Sequence, residues 1–171
     1  MGRDTWESKK LKRQIKKGKL DRRQTRDRIR IIVNDTVQSD LDVCRELSSV
    51  FQGTLTWKWD ARFETVLAEF GVDKKDNIRA TLEEYLSAAW DSANVGNAPD
   101  TVRVIKDDLG GLMAGQILFT SDPNRGVVLF CAWWPWGNGE KISIRIGLWS
   151  KQLTDAEYAE NLQQLKVFFG V

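Results

Sequence analysis

Two β-like segments, GVVLFCAWWPW (residues 126–136) and KISIRIGLW (141–149), are separated only by GNGE, and this pairing limits the fold more than any other feature. A connection that short joins antiparallel neighbours. With GNGE as the turn, Trp133 lies opposite Ile144, Cys131 opposite Ile146 and Leu129 opposite Leu148. Alternate side chains of a strand share one face, so this row reads as core. The other row pairs Trp134 with Ser143, Ala132 with Arg145, Phe130 with Gly147 and Val128 with Trp149, and ends in Trp136 and Lys141. It is aromatic with basic residues interleaved: Phe130, Trp134, Trp136, Lys141, Arg145 and Trp149.

Three things could meet that second face. An N-terminal helix or the segment TLTWKW (54–59) could cover it from within the chain. A protein partner or a second copy could use it, as exposed aromatic patches often are used. Nucleobases could stack on the indoles while the basic residues attract phosphate.

The period of two extends upstream. TVRVIK (101–106) and LMAGQILFTS (112–121) read as two further strands, with Phe119 and Ile117 expected opposite Val127 and Leu129. DDLGG and DPN serve as turns. Before residue 101 the spacing is helical. Leu41, Cys44, Leu47 and Phe51 form one stripe, with Ser39 as a cap and Gly53 past the end. Phe63, Val66, Leu67 and Phe70 form a second, and Ile78, Leu82, Tyr85, Ala89 and Ala93 a third. After the sheet, Thr154 and Glu157 make a capping box for a stripe of Tyr158, Leu162, Leu165 and Phe169. The expected fold class is α+β: a four-stranded antiparallel sheet (about 101–149) packed on helices at about 39–52, 60–70, 74–94 and 154–169.

Charge divides the chain where hydropathy does not. Residues 1–30 hold 13 Lys and Arg against 4 Asp and Glu, while the remainder holds 13 against 20. The first segment reads as a basic arm, flexible or weakly helical because apolar residues are sparse and Gly18 interrupts it. Residues 31–171 read as a single domain. Lys9, Lys10, Lys12, Arg13, Lys16, Lys17, Lys19, Arg22 and Arg23 are the candidate contacts to nucleic acid or another polyanion, since each cation that neutralises a phosphate releases counterions.

Chemistry-bearing residues are few. The chain has no histidine, which removes the commonest neutral-pH acid/base and the usual zinc ligand. Cys44 and Cys131 sit in apolar surroundings and read as free thiols suited to a reducing cytoplasm. Asp107 and Asp108 of DDLGG are too few for a calcium or magnesium site. GNG does not lead from a strand into a helix as a dinucleotide loop would. No catalytic residue, metal ligand or cofactor is assigned. No apolar run approaches the ~20 residues of a membrane span, and no apolar signal segment follows the N-terminus. The expectation is a cytoplasmic, non-enzymatic binding or adaptor protein whose arm contacts nucleic acid or another polyanion. A chaperone-like or homodimeric module using the tryptophan face comes second, and a small carboxylate-dependent enzyme third.

Overall fold

The computed structural model describes residues 6–171, with side chains from Arg22 onward. It contains four α-helices, α1 Trp6–Val50, α2 Lys75–Tyr85, α3 Asp100–Asp108 and α4 Asp155–Phe169. Six strands accompany them: β1 Trp57–Asp60, β2 Thr65–Gly71, β3 Ala88–Trp90, β4 Ile117–Thr120, β5 Val127–Pro135 and β6 Lys141–Ser150. The fold is α+β, with one antiparallel sheet ordered β1-β2-β6-β5-β4-β3. The described residues up to Asp35 form one compact unit and Thr36–Val171 another.

The sheet has six strands where four were expected, and three segments account for the difference. The helix expected over 60–70 is a turn followed by β2. This strand lies between β1 and β6, and both its faces are covered: Val66, Leu67, Ala68 and Phe70 are all buried. A strand buried on both sides loses its polar alternation. Its apolar residues then fall by chance at the spacing of a helical stripe. The strand expected over 101–106 is α3. Pro99 precedes it, Asp100 occupies its first turn, and Val102, Ile105 and Leu109 are buried at helical spacing. Its β-branched residues suggested a strand, but the stop-and-start signal of Pro-Asp and the tertiary burial decide for a helix. The helix expected over 74–94 ends at Tyr85, and Ala88–Trp90 pairs with β4 instead. There the indole of Trp90 donates to Thr120 Oγ1 at 3.1 Å.

The start of α1 also differs. A helix was expected from about residue 39, yet α1 begins at Trp6 and runs through Gly18. Residues 6–30 of the arm, expected to be flexible or weakly helical, belong to this same helix. The C-terminal part of α1 keeps its predicted stripe: Leu41, Cys44, Leu47 and Phe51 are buried, and Gly53 beyond it has φ +75°. The capping box of α4 forms as expected, with Glu157 N–H donating to Thr154 Oγ1 and Thr154 N–H to Glu157 Oε2.

The central hairpin has the predicted register, Trp133 against Ile144 and Trp134 against Ser143. The β4–β5 pairing is shifted. Phe119 pairs with Cys131 and Ile117 with Trp133, four residues further along β5 than expected. The loop after β4 is wider than DPN alone, because Ser121 still pairs, donating its N–H to Leu129 O at 2.8 Å. An even shift leaves each side chain on its expected face.

Both faces of the sheet are covered. On one, Trp57 of β1 meets Phe51 at 6.3 Å and Phe169 of α4 at 4.5 Å. On the other, α3 contributes Val102, Ile105 and Leu109 to a cluster with Leu118, Val128, Phe130 and Ala132. Gly147 permits this packing. A Cβ there would lie 2.6 Å from Phe130 Cζ and 2.8 Å from Thr65 Cγ2, so the phenyl ring rests where a side chain would be.

One buried carboxylate departs from the apolar rule. Asp40 of α1 is 2% exposed and lies near Ser121, whose hydroxyl donates to it at 3.5 Å. Burial pushes its carboxyl up to about 6, against the pull of Arg125, the Ser121 hydroxyl and the Leu129 backbone. The folded state thus holds the Asp40 proton more tightly than the unfolded chain, and this favours folding at low pH. That contribution is fully present below the unfolded value near 4 and is lost as pH rises through about 6. Asp40→Asn is therefore expected to stabilise the protein by about 1–2 kcal/mol above pH 7, with the gain vanishing below about pH 4. Denaturant titrations across that range check it, and a constant difference at all pH values would contradict it.

Candidate functional site

Of the candidate polyanion contacts, Lys9, Lys10, Lys12, Arg13, Lys16, Lys17 and Lys19 have side chains outside the described residues. Arg22 and Arg23 are described and exposed, and so are Arg26, Arg28 and Arg30 further along the helix. Residues four apart on a helix are neighbours about 6 Å apart along the axis, so Arg22, Arg26 and Arg30 follow one ridge, with Arg23 beside it. Asp27 is the exposed acid within that stretch. Ile29 and Ile31, 50% and 60% exposed, lie in the same segment.

The six residues of the aromatic row divide into three groups. Phe130 is buried beneath α3, and Trp134 and Trp149 are partly buried against the same cluster. Trp136 is 42% exposed at the hairpin tip, where the Lys141 ammonium lies 5.5 Å from its ring centroid. Arg145 is held between elements. Its Nε donates to Asp60 Oδ2 at 2.8 Å and its Nη1 to Ser143 Oγ at 3.2 Å. The guanidinium stacks 4.2 Å from the Trp134 centroid, and Phe63 closes the group edge-on to Trp134 at 5.6 Å. Among the described residues, Phe130, Ala132 and Trp134 of this row pack against α3 and Phe63. The Trp134 Nε1–H is enclosed with no acceptor among the described residues.

Next to this group lies a cavity of about 380 Å³ that no sequence signal pointed to. Its walls are Phe63 and Glu64 from the β1–β2 turn, Asp108 at the end of α3, Phe130 and Trp149 of the sheet, and Tyr158 of α4. Arg62 also borders it, with its guanidinium 4.9 Å from the Phe63 centroid. The Tyr158 hydroxyl donates to Leu148 O at 3.1 Å. Burial, then the charges of Glu64 and Asp108, push that phenol up to about 12. Glu64 adopts φ +52°, the left-handed conformation that ends the tight β1–β2 turn. Asp108 and Tyr158 were visible in the sequence only as a turn residue and a helix-stripe residue. Glu64 carried no signal because the hairpin it belongs to read as a helix.

Cys44 and Cys131 are buried free thiols. Burial first, with Asp40 adding to it at Cys44, raises both above the usual thiol range, which makes them poor nucleophiles. Among the described residues no three His, Cys, Asp or Glu side chains group as metal ligands, and no helix is long and apolar enough to cross a membrane. Comparison with protein-family models, with curated proteins and with solved structures finds no match.

Proposed function

We propose that this chain is a non-enzymatic binding protein whose basic N-terminal segment holds a nucleic acid through its phosphates. The observation that supports the reading best is the run of five exposed arginines between residues 22 and 30 of a helix. A guanidinium presents a planar fork of donors to phosphate, often bidentate, and stays charged at any physiological pH. Spacing of about 6 Å along a helical ridge suits successive contacts with a polyanionic backbone. The preceding lysines add charge of the same sign, for a net +9 over residues 1–30.

The test is binding to a mixed-sequence oligonucleotide across a range of salt. Affinity should fall steeply, each phosphate contact adding about 0.7–0.9 to the log–log slope. Replacing Lys16, Lys17, Arg22 and Arg23 together with Gln should lower that slope by about 3. An unchanged slope, or no binding at low salt, would refute the reading. Equal binding to heparin would widen the ligand to polyanions in general.

A further inference from the structure

We propose that the cavity between the β1–β2 turn, the end of α3 and α4 binds an organic cation, a guanidinium or alkylammonium head, between its aromatic walls and the carboxylates of Glu64 and Asp108. The inference stands apart from the polyanion reading, since it concerns the acidic part of the chain and a ligand of opposite charge.

Three observations converge on it. The first is the lining itself: Phe63, Phe130, Trp149 and Tyr158 bring four rings to one cavity of about 380 Å³, room for a small ligand head and its stem. Ring faces carry negative charge density and attract cations. The second is what the neighbouring rings already hold. Arg145 lies over Trp134 at 4.2 Å, Arg62 over Phe63 at 4.9 Å and Lys151 over Trp149 at 5.4 Å. Aromatic faces in this region therefore attract cations from the β1–β2 turn and from β6 with the residue after it, and two of the lining rings, Phe63 and Trp149, already carry one. The third is electrostatic. Glu64 and Asp108 come from different elements, and both act on the Tyr158 hydroxyl at the cavity wall. Neither has an ion pair among the described residues. The C-terminal end of α3 adds the negative end of its dipole, and residues outside 1–30 carry a net −7.

A cation entering here exchanges water for ring faces and two carboxylates, and it shares the site with the Arg62 guanidinium on the cavity border. The same chemistry could arrive as a free small amine or guanidine, or as a Lys or Arg side chain of a peptide.

The test uses the full chain and NMR titration, following the Trp149 and Tyr158 resonances. Propylguanidinium and tetramethylammonium represent the free cation, a Gly-Gly-Arg-Gly-Gly peptide the side chain, and propylurea the neutral isostere. Saturable shifts at Trp149 and Tyr158 with the cations, and none with propylurea, are expected. Glu64→Gln with Asp108→Asn should weaken binding by about tenfold or more. Both side chains are exposed, so the double variant should melt with the parent, and Tyr158→Phe serves as a second variant that keeps the cavity. Tighter binding of the peptide than of propylguanidinium would assign the site to a protein side chain, and the reverse to a free cation. Equal binding of propylurea, an unchanged affinity in the double variant, or no saturable shift with any cation would overturn the proposal.

Discussion

Replacing Trp133 with alanine is expected to lower stability by about 3–5 kcal/mol, the range for deleting a large aromatic side chain from a core. The indole is 5% exposed and meets Phe70 edge-on at 5.5 Å and Phe119 at 6.5 Å. These partners sit on β2 and β4, so one side chain ties three strands across β6 and β5. The cavity left behind would be lined by rigid strands that cannot collapse into it, which puts the cost toward the upper end of the range. Trp136→Ala is the control, because that indole is 42% exposed at the hairpin tip and should change stability by about 0.5 kcal/mol or less. Urea titrations of both variants decide the matter. Equal losses would mean the burial contrast along β5 is wrong.

The second large effect is expected at Arg145. Its guanidinium is 14% exposed, as is the Asp60 carboxylate it pairs with, so solvent and salt screen the pair little. Arg145→Ala removes the ion pair, the Ser143 contact and the stack on Trp134. The expected cost is about 2–4 kcal/mol, because a half-broken enclosed pair leaves the partner charge uncompensated. Asp60→Ala should cost nearly as much, and the double variant far less than the sum, giving a coupling of about 1–2 kcal/mol. By contrast, the exposed Arg79–Glu83 pair, at 49% and 48% exposure, should contribute about 0.5 kcal/mol or less. Measuring the cycle at low and high salt separates the two cases. Additive losses at Arg145 and Asp60 would mean the contact is incidental.

Arg145 also explains how the aromatic row came to look like a surface. A basic residue beside Trp134 and Trp149 is what a stacking platform for nucleic acid would carry. The same pattern arises when a cation is satisfied inside the fold, by an acid far away in sequence. Asp60 lies 85 residues upstream, and no local pattern connects the two. Likewise, the helix that covers Phe130 and Ala132 starts directly after Pro99. Its β-branched residues still favoured a strand until burial on the sheet settled the matter.

What the sequence determined by itself was local and periodic: the β5–β6 register, the α4 capping box, the inward stripe of α1 from Leu41 to Phe51, and the charge division near residue 30. Each depends on residues within one or two turns or across one short loop, where spacing alone specifies geometry. Tertiary structure decided the rest. β2 lies in the sheet because strands on both sides satisfy its backbone and bury both its faces. α3 is a helix because its stripe of Val102, Ile105 and Leu109 has the second sheet face to cover. The cavity beside Tyr158 exists because a turn, a helix end and a second helix, 44 and 50 residues apart along the chain at Glu64, Asp108 and Tyr158, meet at one place. Long-range burial outweighs local propensity at such positions, and a single sequence does not record which distant segments will provide it.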